Sequence, residues 1–422
     1  MKLLEREAVK DIRKFIKSDD VIVLHGARQV GKTSIMKYLQ DELSAQKRRT
    51  VYIDLEDLRF VQLLDSGLPD FIGYLKERGF LGKERLYLFI DEIQYLKNPS
   101  NFLKLLHDHY GGKIKSFVSG SSSFEIKSKF KESLVGRTVN FAVYPLNFRE
   151  FLLFKGYHID YGAKSLSGLA VEEMKKLYRE YILLGGYPRI TMERNLALKE
   201  TYLQQIIDTY IRKDIRDLAG VKDVLKFNKL LEILAEQSGK LLNVVELANT
   251  SRLSRITVEH YLFLMENTYI LKLLRPFSSN LRSELFKTPK VFFYDTGIAN
   301  LLWLKTFSKT VLGNMFETSV FGEFVKNGMD RDLFFWRTQD KKEIDFIIRK
   351  GKSALPFEAK LSQSGFNYTP MEYFMDRYKV KNGYCVSLDI DKKHKQGVTF
   401  CYPWELCNMV LEPLRIKSVS GS

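Results

Sequence analysis

Residues 21–33, VIVLHGARQVGKT, constrain the fold more than any other stretch of this chain. A short apolar run leads into Gly26. Gly26, four residues, Gly31, Lys32 and Thr33 then complete the pattern G-x-x-x-x-G-K-[ST]. An apolar run of this kind reads as a buried parallel strand. The two glycines let a tight loop bring backbone N–H groups around a phosphate chain. Gly26, Ala27, Arg28, Gln29, Val30 and Gly31 are therefore the expected cradle for ATP, continued by Lys32, Thr33 and Ser34. Lys32 supplies a point charge to the β- and γ-phosphates, and Thr33 offers a hydroxyl to Mg²⁺. The helix predicted over SIMKYLQDEL turns its positive end toward the same phosphates.

A matching acidic signal follows. After TVYIDLED and a helical PDFIGYLKERG, the strand-like RLYLFIDE ends in Asp91 and Glu92. Asp91 is expected to hold the Mg²⁺ shell and Glu92 to polarise the attacking water. NFLKLLHDHYGG reads as a helix and IKSFVSGSSS as another buried strand, which brings up Ser119, Ser121 and Ser122. Two readings stand for these serines: a sensor of the γ-phosphate, or an N-cap for the next helix. RTVNFAVYPL reads as a fifth strand, with Arg137 just before it. Residues 1–20 predict a charged amphipathic helix with Leu3, Leu4, Val9, Ile12, Phe15 and Ile16 on its apolar side; Arg6 precedes the first strand at a distance that could reach the nucleotide base, and a solvated helix charge is the preferred reading.

Composition bounds the rest. At 422 residues the chain calls for two to four domains. Its net charge of +16 favours an anionic partner beyond one nucleotide, nucleic acid before an acidic membrane surface. Cys385, Cys401 and Cys407 show no C-x-x-C spacing, so neither a disulfide framework nor a zinc site is suggested and a reducing, cytoplasmic compartment fits. No apolar run approaches membrane-spanning length and no signal-peptide pattern is recognised.

The strings LHGARQVGKT, LYLFIDEIQYL, VSGSSS, SLVGR, YPLNFREF and LLGGYPR, followed by FFYDTGIANLL, GNMFETSVFGEFV, EIDFII and FEAK, occur in one order along the chain. In these the sequence resembles prokaryotic AAA+-superfamily ATPases that carry a DUF4143-type C-terminal region. The resemblance implies an α/β fold with a five-stranded parallel sheet and the ATP site at the strands' C-terminal ends, as in open α/β sheets generally. Four segments are expected: a P-loop ATPase core over 1–150, a helical lid over 151–215, a winged helix-turn-helix over 216–305, and a mixed α/β nuclease-like domain over 306–415. By analogy, Pro188 of the lid packs on the adenine and Arg189 approaches the phosphates, although a helix-terminating Gly-Gly-x-Pro turn accounts for both equally well. Arg137 stands where related ATPases present an arginine finger to a neighbouring site in a homo-oligomer. A salt bridge at the strand start is the alternative.

Within 216–305, KFNKLLEILAEQSG, NVVELANTS and ITVEHYLFLMENTYIL read as helices, and ILKLLRPF and KVFFYD as strands, the order of a winged helix. Arg252, Ser254, Arg255 and Thr257 near the third helix's start are the candidate DNA contacts, with Arg282, Lys287 and Lys290 in or near the wing. The same fold also serves as a protein-binding module. In the last segment, GNMFETSVFGEFVKNG is a helix with Glu317 and Glu323, and EIDFIIRKG and SALPFEAKLS are strands joined by KGKS. Ile344, Phe346 and Ile348 should share the buried face of the first strand, with Asp345 opposite them. The turn then sets Asp345 facing Glu358, with Lys360 on the same side. Two carboxylates so placed could hold Mg²⁺ while Lys360 orients a water against a phosphodiester. This resembles the PD-(D/E)xK nuclease fold, with Glu317 as its supporting helix acid. The expected protein binds ATP and Mg²⁺, hydrolyses ATP slowly, contacts DNA, and carries a metal-dependent nuclease-like domain. Its rival is an ATP-controlled switch whose last domains bind partners without cleaving them.

Overall fold

The computed structural model describes residues 3–120, 134–157, 166–209, 221, 223–277, 288–351 and 353–406. Ser121, Ser122, Arg282, Lys287 and Cys407 lie outside the described residues. The chain divides into two compact units, residues 1–144 with 267–269, and residues 145–266 with 270–422.

The first unit is built on β1 (Val21–His25), β2 (Arg49–Asp54), β3 (Leu86–Asp91), β4 (Ile114–Gly120) and β5 (Thr138–Ala142). They form one five-stranded parallel sheet, as the resemblance implied, and its strand order is β2-β3-β4-β1-β5. Every residue of β3 and β4 is buried; β3 reads as a near-continuous apolar run, whereas β4 also buries Lys115, Ser116 and Ser119. Phe89 and Phe117 sit in register across this pair and stack at 4.6 Å. Around the sheet lie α1 (Glu7–Arg13), α2 (Lys32–Ala45), α3 (Leu58–Asp65), α4 (Leu68–Glu77) and α5 (Pro99–Tyr110). Phe71, Leu75, Leu103 and Leu106 fill one side of the core, each contributing about 1.5–3 kcal/mol by leaving water. The helix predicted over residues 1–20 is shorter than expected. After Arg13 the amides of Lys14 and Phe15 bond only three residues back, to Asp11 and Ile12, and the chain tightens into turns.

The second unit opens with α6 (Phe148–Phe154), α7 (Gly168–Leu184), α8 (Pro188–Met192), α9 (Leu196–Ile206), α10 (Val224–Glu236), α11 (Val244–Ser251) and α12 (Arg255–Asn267), whose last residue joins the first unit. The antiparallel pair β6 (Leu271–Leu274) and β7 (Lys290–Phe293) follows, then α13 (Thr296–Leu304) and α14 (Gly313–Phe324). A mixed sheet completes it: β8 (Leu333–Arg337), β9 (Glu343–Lys350), β10 (Ser353–Ala359), β11 (Gly383–Val386), β12 (His394–Lys395) and β13 (Val398–Cys401), in the order β12-β13-β11-β10-β9-β8, with α15 (Tyr368–Tyr378) packed on it.

A lock between distant strings organises this unit. Asp295 caps α13 by accepting from the amide of Ile298, and its other oxygen accepts from the amide of Gly186 at 2.8 Å. At Gly185, which has φ +78°, a Cβ would lie 2.2 Å from Asp295 Oδ1. At Gly297 it would lie 2.2 Å from the Leu184 carbonyl oxygen. The glycines of LLGGYPR and the DTG of FFYDTG are thus two sides of one close backbone approach.

The simple alternation expected along β9 does not hold. Residues 344–348 are all buried: Ile344 and Ile347 join the cluster of Trp336 and Phe374, while Phe346 packs on Phe292 and Phe324. The strand is covered on both faces, and a register shift between Phe334 and Trp336 of β8 disturbs its pairing.

Candidate functional site

Residues 26–31 leave β1 and enter α2 through a loop that only glycine permits at two points. A Cβ on Gly26 would lie 2.1 Å from the Val143 carbonyl oxygen, and Gly31 has φ +99°. Gln29 also turns left-handed, at φ +60°. Arg6 braces the loop from outside, donating to the carbonyls of Val30 at 2.6 Å and Tyr144 at 2.9 Å. It is buried, so the solvated helix charge read from the sequence is corrected. Arg6 immediately precedes α1, and from there its guanidinium reaches these two backbone carbonyls. Behind the loop, Tyr269 Oη lies 2.5 Å from His25 Nδ1, and its ring packs edge-on against Tyr144. Ala27 and Val30 are buried, whereas Arg28, Gln29 and Ser34 are exposed.

Lys32 is 6 % exposed, and its ammonium donates to the loop carbonyls of Gly26 (3.1 Å) and Ala27 (2.7 Å). Burial pulls its pKa down to about 8 against the opposing pull of Glu92 and Asp91. A buried cation bonded to neutral carbonyls, at the start of a helix whose first turn takes no side-chain cap, suits an incoming polyanion. Opposite it, Asp91 at the end of β3 gathers several donors. Oδ2 accepts from Thr33 Oγ1 at 2.7 Å and Tyr52 Oη at 2.6 Å, while Oδ1 accepts from Ser119 and from the amide of Glu92. Glu92 stands at φ +57°, a left-handed conformation costing about 1–2 kcal/mol for a non-glycine residue. Gln94 bonds its carboxylate. Tyr52 escaped the sequence reading. The signal was the parallel register of β2 on β3, which brings Asp54 level with Asp91 and Tyr52 level with Phe89. These residues fit ATP–Mg²⁺: the Thr33 hydroxyl and the Asp91 carboxylate already meet where a Mg²⁺ shell would need them.

The second cluster lies on the mixed sheet. The β9–β10 register runs from Lys350↔Ser353 to Phe346↔Phe357 and sets Asp345 beside Glu358. The Asp345 amide donates to Glu358 Oε2 at 3.2 Å, and the Ala359 amide donates to Asp345 Oδ2 at 3.0 Å. Lys360 pairs with Glu358 at 2.7 Å and with Asp345 Oδ2 at 3.3 Å. Lys290, read as in or near the wing, begins β7 of the β6–β7 pair, but its side chain turns inward. It is 2 % exposed and pairs with Glu343 at 2.7 Å, Glu317 at 2.9 Å and Asp345 Oδ1 at 3.5 Å. β7 runs beside α14 and aims this lysine inward. Burial, then Asp345, pushes Glu317 up to about 8 and Glu358 up to about 7. Burial also opposes ionisation of Asp345, but Lys290 and Lys360 outweigh it and hold its pKa below the ordinary value. Among the described residues no group of three or more His, Cys, Asp or Glu is arranged to hold a metal ion. With both Asp345 oxygens committed to ammonium groups, the cluster as it stands does not fit a Mg²⁺ held by Asp345 and Glu358. Glu323 is elsewhere, capping α6 through the amide of Phe148 at 2.9 Å.

Residues 18–152 match the family described as AAA domain, and residues 312–406 match the one described as Domain of unknown function (DUF4143). The chain is an AAA-domain protein with a DUF4143 domain. Residues 175–310, which contain both halves of the Asp295–Gly186 lock, match Domain of unknown function (DUF8612). An uncharacterized protein of Haemophilus influenzae is 28% identical over 355 residues, spanning 82% of this chain and 84% of that protein. One of Methanocaldococcus jannaschii is 26% identical over 352 residues, spanning 80% and 74%. Among solved structures, the Walker-type ATPase of Pyrococcus abyssi aligns with a TM-score of 0.44 at 14% identity, over 71% of this chain and 96% of that one. Among the described residues, no helix is long and apolar enough to cross a membrane.

The remaining candidates scatter. In the AAA domain, Arg137 grips Asp108 of α5 with two bonds, at 2.6 and 3.1 Å, and holds that carboxyl down at about 2. This is the strand-start salt bridge weighed against an arginine finger. Mixing Arg137→Ala with Lys32→Ala should therefore restore no ATP turnover, and rescue in the mixture would reinstate the finger. In the DUF8612 segment, Pro188 opens α8, and the guanidinium of Arg189 lies 3.6 Å from the Tyr202 ring centroid. Arg252 caps α11 with φ +55°. Ser254 accepts from the Thr257 amide at 3.1 Å and so caps the start of α12, and Arg255 pairs with Glu259 at 2.9 Å.

Proposed function

We propose that the AAA domain binds ATP with Mg²⁺ and hydrolyses it, and that this cycle controls a C-terminal unit that binds a partner without cutting it. The observation that carries the reading is the buried carboxylate of Asp91, which ties the P-loop hydroxyl of Thr33 to β3 one residue before Glu92. Bound ATP–Mg²⁺ would supply the phosphoanhydride bond to be broken and a metal charge that offsets the phosphate oxygens. Lys32 exchanges its two carbonyl partners for phosphate oxygens. Thr33 and Asp91 would hold the metal shell, and Tyr52 and Ser119 fix the Asp91 carboxylate. Glu92 orients the attacking water and takes its proton. Ser119 is the described member of the sensor serines. Pro188 and Arg189 are offered as the adenine and phosphate contacts of a lid over residues 151–215. The core over 1–150, the winged helix over 216–305 and the nuclease-like domain over 306–415 complete the proposed division.

The partner-binding reading is favoured by α11–α12. Their exposed side carries Val245, Ile256 and Phe263, and residues 243–267 hold two arginines against three glutamates. A segment with that balance gains little from phosphates. The competing reading, DNA contact through Arg252, Ser254, Arg255 and Thr257, rests on the net charge of +16. A binding and cleavage assay with nucleic acid and Mg²⁺ or Mn²⁺ separates the two. The switch reading expects neither cleavage nor any effect of Arg252→Glu with Arg255→Glu. The DNA reading expects affinity to fall with salt and the double variant to lower the salt slope by about 2, with ATP affinity unchanged.

A further inference from the structure

We infer that Lys290 is a resident cation occupying the place a divalent metal would take in the carboxylate cluster of the second unit, and that it keeps the wild-type site free of metal. This deepens the non-cleaving reading and rests on it. The cluster gathers Glu317 from α14, Glu343 and Asp345 from β9, and Glu358 from β10 around two ammonium groups. Lys290 touches the first three, while Lys360 takes Glu358 and the other oxygen of Asp345. Glu343 spends its second oxygen on Arg337 at 2.9 Å. Two ammonium groups thus deliver the two positive charges that one Mg²⁺ would.

The lysine is not free to give way. It comes from β7, outside the mixed sheet, and its backbone is held in register with Leu274 of β6. Its ammonium lies 5.7 Å from the Phe335 ring centroid, and the residue is 2 % exposed. A metal entering between Asp345 and Glu358 would need near-octahedral oxygen ligands at about 2.0–2.1 Å. It would have to draw Asp345 from both lysines and leave a buried ammonium beside a dication. Lys360 belongs to the D…ExK pattern itself, so Lys290 is the added element that closes the site.

The test uses the full chain, free of nucleotide, titrated with MnCl₂ and followed by calorimetry and by the electron paramagnetic resonance of unbound Mn²⁺. Wild type should show no binding that Asp345→Asn removes. Lys290→Met, which keeps the buried stem and deletes the charge, should gain one Mn²⁺ site at least ten-fold tighter than anything in wild type. Adding Asp345→Asn should abolish that site. A folded Lys290→Met without the new site overturns the proposal. If Lys290→Met does not fold, the comparison of wild type with Asp345→Asn decides alone, and Asp345-dependent Mn²⁺ binding by wild type overturns it. Nucleic-acid cleavage that persists in EDTA would end the non-cleaving reading, while wild-type exclusion of Mn²⁺ would still support the role of Lys290.

Discussion

Glu92→Gln should bind ATP as wild type does and lose turnover by a factor of about 10²–10⁴, the contribution of a positioned general base. The substitution preserves shape. Its amide can still meet Gln94, and the main chain still donates to Asp91 and Ser119. What disappears is the proton acceptor beside the attacking water. Lys32→Ala should act one step earlier. The buried ammonium is the one fixed charge at the start of α2, so its removal should abolish nucleotide binding altogether. Fluorescent-nucleotide titration and phosphate release, measured on both variants, separate binding from chemistry. Unchanged turnover in Glu92→Gln would remove Glu92 as the base. ATP binding by Lys32→Ala would remove the P-loop assignment.

Asp295→Ala should destabilise the second unit by about 2–5 kcal/mol, from the lost helix cap together with a buried amide left without an acceptor. Asp295 is fully enclosed and answers the amides of Ile298 and Gly186. Asp295→Asn keeps an oxygen for the α13 cap but presents an NH₂ toward Gly186 or loses the cap in turn, so it should fall between wild type and alanine. Denaturant unfolding followed by a probe in the second unit measures this, because a chain of two units need not melt in one step. A change of less than about 0.5 kcal/mol in Asp295→Ala would place it among ordinary surface substitutions and discard the lock.

Much of the P-loop half was legible because its chemistry is local. Gly26, Gly31, Lys32 and Thr33 stand together in sequence, and Asp91 and Glu92 end a strand whose apolar run announces itself. The sequence could not show what reaches across. Arg6 and Tyr52 enter the same site from a helix start and from a neighbouring strand, and nothing in their own surroundings marks them. In the C-terminal half the pairing of Asp345 with Glu358 followed from the short KGKS turn. Lys290 was read only as a residue in or near the wing, and nothing in its own surroundings announced its carboxylate partners. Only the fold reveals that β7 turns it inward among carboxylates. Gly185 and Gly186 carried the signal of a helix-ending turn, and their actual constraints are Asp295 at Gly185 and the Leu146 backbone at Gly186, both distant in sequence.

The return of residues 267–269 to the first unit has a practical side. A fragment ending near residue 150 would keep the whole nucleotide-binding pattern yet lack Tyr269, whose hydroxyl and ring brace His25 directly before Gly26. Its loop would rest on a different floor, so affinities measured on such a fragment would describe a site the intact protein never has. Comparisons of nucleotide variants belong in the full-length chain.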